Sequence, residues 1–262
     1  MKNVIKKLDG LLSDMTKNVI VFGGDGLIGR EVCKYLVTAQ DNCENHIYNV
    51  YKADMNDTVS TGAEFIYTDI LNSYSVDHTF RKVRMQNTSI RVNGEIFAIV
   101  NCTYPKPQRY MTETWYNETD NDYLTFFNQH LISNIMLCKM ARQYNVENIV
   151  LLSSIYGQKV PIGPIYVNAV IKKPPLEYGM SKASINYLVK YLSKEGLHIN
   201  AIAPGGLESD NMDDLFKILY KQIGGCDFTT PCEVAGMVKY LLSEEGQGIT
   251  GQVITVDKGW SI

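Results

Sequence analysis

Tyr178 and Lys182 stand four positions apart in the stretch EYGMSK, so on a helix the phenol and the ammonium share one face, one turn apart. A phenol titrates near ~10 and is a poor acid or base at neutral pH, but a cation beside it favours the phenolate. Upstream, Ser154 closes the apolar run IVLLSS and offers a hydroxyl that can hold a substrate oxygen. The three groups together suit proton transfer at an alcohol or carbonyl oxygen. A Y-x-x-x-K pair alone recurs on many helix surfaces, so its meaning depends on the elements that position it.

Those elements alternate along the chain. Residues 18–22 (NVIVF) form a short β-rich run, followed by GGDGLIG and a helical pattern. Gly23, Gly26 and Gly29, with Asp25, Leu27 and Ile28 between them, make the strand–turn–helix that lets backbone N–H groups and a helix N-terminus meet a pyrophosphate. A second strand over 47–51 leads into KAD. There Asp54 or Tyr51 would meet an adenosine ribose, while Lys52 would suit a 2′-phosphate, so the residues leave NAD and NADP open. Only the stretch MNDTVSTGA follows Asp54 before the next strand, which makes this sheet edge look abbreviated. Strands follow at 65–68, ending in Asp69 and Ile70, and at 96–100, running into Asn101, Cys102, Thr103 and Tyr104. Asp69 can accept from an adenine amino group or cap the helix expected over 72–85. Further helices are expected over 123–144, 180–192 and from Thr230-Pro231, with strands at 149–152, 198–203 and 249–256. Pro204-Gly205-Gly206 breaks the sixth strand. Strands alternating with helices, without repeats or linkers, predict one α/β domain of Rossmann type, a doubly wound parallel sheet of about seven strands.

The chain has 262 residues, 45% hydrophobic and 20% charged, with a formal charge of −3. Mild acidity gives no footprint for nucleic acid or an anionic membrane. No apolar run reaches the ~20 residues of a membrane span, and no secretory signal pattern opens the chain. The six cysteines show no paired spacing, so reduced thiols, no metal site and a cytoplasmic location are expected. Residues 4–15 have helical spacing, and 1–17 read as an extension carrying a leading helix or a partner-binding arm.

In this order the landmarks resemble the short-chain dehydrogenase/reductase family over most of the chain. They are the turn at Gly23–Gly29, Asp69, the Asn101-Cys102-Thr103 counterpart of an N-N-A-G turn, the serine closing strand five, Tyr178-x-x-x-Lys182, Pro204-Gly205 and the ending ITGQVITVDKGW. The resemblance implies an NAD(P)-dependent enzyme in which Tyr178 is the general acid/base and Lys182 bonds the nicotinamide ribose. Ser154, rather than Ser153, would bind the substrate oxygen, and Leu207 would lie by the carboxamide. NAD is the favoured cofactor of the two. Tyr104 and Tyr156 would face the substrate, residues 207–229 would form a lid, and the protein would be a homo-oligomer through the helices around 123–144 and 180–192.

Three departures stand out. His130 occupies the place of a helix asparagine that completes the family's proton relay, as a relay group or as a core histidine bonded to backbone. The glycine spacing G-x-x-G-x-x-G is that of epimerase and dehydratase relatives. Ser154 and Tyr178 are 24 positions apart instead of roughly a dozen, which makes 155–177 a substrate-pocket insertion. The motifs VNCTYP, LSSIYG and APGGL look most like bacterial oxidoreductases of flagellin modification and legionaminic-acid-type sugar biosynthesis. That implies a sugar phosphate or nucleotide sugar, with Lys106, Arg109, Lys172 and Lys173 as phosphate contacts. The leading expectation is an oxidoreductase interconverting a secondary alcohol and a ketone on a hydrophilic substrate. The alternatives are a sugar epimerase or dehydratase using the cofactor transiently, and a dinucleotide-binding protein without chemistry.

Overall fold

The computed structural model describes residues 16–40, 46–86, 95–105, 117–161, 163–166, 173–208 and 212–262. The helix expected over 4–15, and Lys106, Arg109 and Lys172, lie outside them. Seven parallel strands form one sheet: β1 (Lys17–Phe22), β2 (Tyr48–Asp54), β3 (Glu64–Tyr67), β4 (Ile96–Asn101), β5 (Asn148–Leu152), β6 (Ile199–Pro204) and β7 (Val253–Val256). Their order is β3-β2-β1-β4-β5-β6-β7, so the chain reverses direction across the sheet between β1 and β4. In open parallel sheets that switch point opens a crevice at the carboxyl ends of the strands.

Both faces are covered, which is why the central strands read as continuous apolar runs. On one face Val76, Phe80 and Val83 of α2 (Ser73–Gln86) pack with Leu137 and Ala141 of α4 (Ser133–Gln143) and Ile185 and Val189 of α6 (Leu176–Lys194). On the other, Val32, Cys33 and Leu36 of α1 (Leu27–Val37) meet Val234, Val238 and Leu241 of α8 (Pro231–Leu242). α8 starts at Thr230-Pro231 as expected, and Glu233 closes a reciprocal capping box with Thr230. A third, smaller cluster joins Ile165 of the short α5 (Gly163–Tyr166), Phe216 and Tyr220 of α7 (Asp214–Gly224), Ile155, Phe228 and Trp260.

The elements depart from expectation in four places. β2 runs on to Asp54, so Lys52 is a strand residue. Residues 55–63 contain no helix, which leaves the β3 edge abbreviated as expected. The long helix over 123–144 is two helices, α3 (Asp120–Phe127) and α4, joined by a π turn at Asn128–Ile132. β7 is shorter because Gly251 turns the chain with φ +72° just before it. Asn72, not Asp69, caps α2: its side chain accepts from the N–H groups of Tyr74 and Ser75 at 3.0 and 3.2 Å. Among the described residues no helix is long and apolar enough to cross a membrane.

Candidate active site

A cavity of about 880 Å³ opens at the switch point, from Asp54 and Asp69 at one end to Phe216 and Phe228 at the other. The turn after β1 forms its floor. Gly23 has φ +72°, and a Cβ there would stand 2.7 Å from the Thr103 nitrogen, so only glycine lets β1 and β4 deliver their loops side by side. A Cβ on Gly29 would come within 2.0 Å of the Gly23 carbonyl, which places this glycine in the packing of α1 and not on the wall. α1 starts on Gly26 with no side-chain cap, leaving the positive helix end toward the cavity. Such a turn fits a dinucleotide pyrophosphate.

Asp25 also borders the cavity, and its carboxylate is engaged by the 58–59 backbone and Lys52. It accepts from the N–H of Thr58 at 3.1 Å, that of Val59 at 3.0 Å and the Lys52 ammonium at 3.1 Å. Burial opposes the charge, but these bonds outweigh it and lower the carboxyl to about 2. Lys52 is almost wholly buried between Asp25 and Asp57 and donates to the Val59 carbonyl at 2.7 Å. It is not on the cavity wall. Asp54 is, with one oxygen accepting from the Asp25 N–H at 3.0 Å. Tyr51, the other residue expected at the ribose, packs into the sheet core, where burial pushes its phenol up. Asp69, Ile70, Cys102, Thr103, Leu27, Ile28 and the 204–207 turn all border the cavity. Asn101 sits behind it, fully buried, and accepts from Thr103 while donating to Asn134 at 2.8 Å.

At the middle of the cavity β5 and α6 bring Ser154, Tyr178 and Lys182 to one wall. The two serines divide their work as strand alternation predicts. Ser153 donates to Asn186 at 2.5 Å and to the Lys182 carbonyl at 3.2 Å, tying β5 to α6. The Ser154 hydroxyl accepts from Tyr156 N–H at 3.2 Å, which leaves its proton to donate. Gly157 permits the close approach of the next turn, since a Cβ there would be 2.7 Å from the Lys182 carbonyl carbon. Lys182 is buried, donates to the Leu152 carbonyl at 2.8 Å and lies 5.8 Å from the Tyr178 ring centre. Burial lowers the ammonium to about 8.

His130 stands behind this wall. Its ring lies 4.1 Å from Phe126 and 4.9 Å from Tyr104, and Tyr104 in turn meets Tyr178 edge-on at 5.7 Å. The imidazole bonds the Pro105 carbonyl, while Nε2 has no partner among the described residues. Burial first, then the Lys182 charge, hold it neutral with a pKa near about 3. The ring packs on Tyr104 and bonds Pro105 as a neutral imidazole. The His130 carbonyl, in the π turn, accepts from the Asn134 side-chain amide at 2.6 Å.

The far end is aromatic. Tyr220 accepts from Gly206 N–H at 2.8 Å and stacks between Phe228 and Trp260 at 4.2 and 5.0 Å. Leu207 pairs with Thr229, joining the ends of the 207–229 segment. Tyr156 lines this end as expected, and so do Tyr166 and Phe216, which sequence reasoning did not single out. Their only signal was aromatic residues inside the insertion and the lid. Lys173 is exposed and off the wall. Among the described residues no cluster of three potential metal ligands occurs.

A buried histidine with its pKa depressed from 6.5 to about 3 gains its proton first in the unfolded chain. Stability is thus lost as pH falls through that window. His130→Phe removes this component and is expected to flatten the decline of unfolding free energy between about pH 6.5 and about pH 4. Urea unfolding at stepped pH measures it, and equal slopes for both proteins would count against a neutral buried His130.

The family model described as enoyl-(acyl carrier protein) reductase matches residues 47–261. The post-translational flagellin modification protein A of Campylobacter coli is 28% identical over 269 residues, covering 95% of this chain and 100% of that protein. Carbonyl reductase family member 4 of Xenopus laevis is 28% identical, covering 94% and 98%. Among solved structures, a short chain dehydrogenase from Leptospira borgpetersenii with bound NAD+ superposes with a TM-score of 0.78 at 23% identity, covering 95% and 94%. The family match runs from the start of β2 past the last strand and takes in the wall that carries Tyr178, so the chain belongs to the NAD(P)-dependent short-chain dehydrogenases/reductases.

Proposed function

We propose that the protein interconverts a secondary alcohol and a ketone on a neutral, sugar-derived substrate, with NAD as cofactor and Tyr178 as the general acid/base. The observation that carries this reading is the buried Lys182 beside Tyr178, with Ser154 on the same cavity wall. Nicotinamide, when bound, supplies or takes the hydride. Ser154 donates to the reacting oxygen and holds it against Tyr178. In reduction Tyr178 gives its proton to that oxygen; in oxidation its phenolate takes the proton back. Lys182 stabilises the negative phenol oxygen, and its fixed bond to Leu152 keeps the ammonium in place. The relative named for flagellin modification supports the sugar-derived class.

Charge at the ribose end supports NAD over NADP. Asp54 and Asp69 face the cavity there, and the cation nearest in sequence, Lys52, is spent on Asp25 and Asp57. Among the described residues lining the cavity there, a 2′-phosphate would meet carboxylate without a compensating base. The described cysteines are free, which supports a reducing, cytoplasmic setting. Leu124, Ile132, Met180, Tyr187 and Tyr191 are exposed along α3, the π turn and α6. Such a stripe supports a homo-oligomer joined through these helices.

Tyr178→Phe is expected to abolish turnover while leaving the NAD dissociation constant within about twofold; comparable turnover would refute Tyr178 as acid/base. NAD is expected to bind at least about tenfold more tightly than NADP, and Asp54→Ala to narrow that gap. Fluorescence titration of both cofactors decides this, and equal affinity in the wild type would rule the assignment out. Light scattering is expected to give a dimer or larger assembly that Tyr187→Glu with Tyr191→Glu weakens; a monomeric wild type would exclude it.

A further inference from the structure

Tyr156 and Tyr166 come from different parts of the insertion and meet at the cavity. The chain leaves Ser154 in a 3₁₀ turn (Ile155–Gly157) that carries Tyr156. Ten residues later α5 is anchored by the fully buried Ile165, and its last residue, Tyr166, reaches the same wall. Each ring is braced from behind: Tyr166 lies 5.6 Å from Phe216, and Tyr156 meets Trp260 edge-on at 6.4 Å. Their hydroxyls are 2.6 Å apart. Burial pushes both phenols up, so both stay protonated at neutral pH. Both line the same cavity as Tyr178.

Two hydroxyls carry two protons, and their mutual bond uses one. Among the described residues nothing takes the other proton or the remaining lone pairs, which stand at a half-buried, cavity-lining position where an unmet donor is costly. The surroundings narrow what can meet it. Among the described residues lining the cavity the only cation is Lys182, and the wall around the pair is Met212, Phe216, Tyr220 and Phe228. Aromatic faces beside a hydroxyl donor and acceptor suit the C–H face and hydroxyls of a neutral polyol ring, and offer little to a phosphate.

We infer that Tyr156 and Tyr166 form a hydroxyl pair that binds a second hydroxyl of the substrate, making the enzyme selective for polyhydroxylated rings over simple alcohols. This rests on the proposed alcohol–ketone chemistry at the same site. The pair belongs to the insertion between Ser154 and Tyr178, so the unusual spacing of the two catalytic residues is the source of the selectivity.

The test compares cyclohexanol with cyclohexane-1,2-, 1,3- and 1,4-diols in NAD-dependent oxidation, for the wild type, Tyr166→Phe and Tyr156→Phe. Both variants keep their rings, and melting temperatures check their folding. At least one diol is expected to exceed cyclohexanol in kcat/KM by about tenfold in the wild type, with the ratio falling toward unity in both variants and the loss lying in KM. A diol preference that persists in both variants, or no diol preference beside measurable turnover, overturns the pair while the dehydrogenase reading stands. If nothing is turned over, calorimetric titration of the NAD-loaded proteins decides. Diol binding that weakens in the variants supports the pair and counts only against oxidation of these diols; no diol binding overturns the pair.

Discussion

A single buried ammonium sets the terms for the rest of the site. Lys182 is held by one carbonyl of β5 beneath two tyrosine rings, in surroundings that lower its pKa to about 8. An ion so placed costs several kcal/mol unless its position is enforced. The enforcement is visible in the contacts between β5 and α6. Ser153 grips Asn186 and the Lys182 carbonyl, Asn186 donates to the Gly157 carbonyl at 3.1 Å, and Gly157 leaves no room for a side chain. The strand, the turn after it and the helix therefore lock at the residues next to the chemistry.

At the other end of the cavity the same economy uses opposite charges. Lys52 is neutralised below the glycine turn, and Asp54 is left to face the cavity. Had Lys52 pointed outward, the site would have attracted a phosphate at the ribose. Lys52 and Asp54, two apart, share one face of β2; what separates them is the ion pairing that draws the Lys52 ammonium onto Asp25 and Asp57.

Most of the framework was legible because its signals are local. Short apolar runs, the glycine turn and the Thr230-Pro231 start need only neighbouring residues to be read, and each appears where its pattern put it. What stayed hidden depends on register or tertiary context. Tyr51 and Asp54 were interchangeable until β2 was seen to run to Asp54, which turns Tyr51 into the core. The π turn inserts one residue into a helix whose apolar pattern reads as continuous, and so His130 lands behind Tyr104 instead of on the wall. Ser154 could be separated from Ser153 by alternation, whereas Tyr166 could not be paired with Tyr156, because nothing in a Pro-rich insertion says which of its aromatic residues folds back.

The short link between β2 and β3 gives one more consequence. Where longer crossovers bring a helix, residues 55–63 bring two N–H groups and a carbonyl, and these end on Asp25 and Lys52 under the cofactor turn. The sheet edge and the glycine turn therefore form one cooperative unit: neither can open without stripping partners from a buried ion pair. Amide protons of Thr58 and Val59, far from the reacting atoms, should exchange in step with those of the turn itself and slow together when a nucleotide fills it.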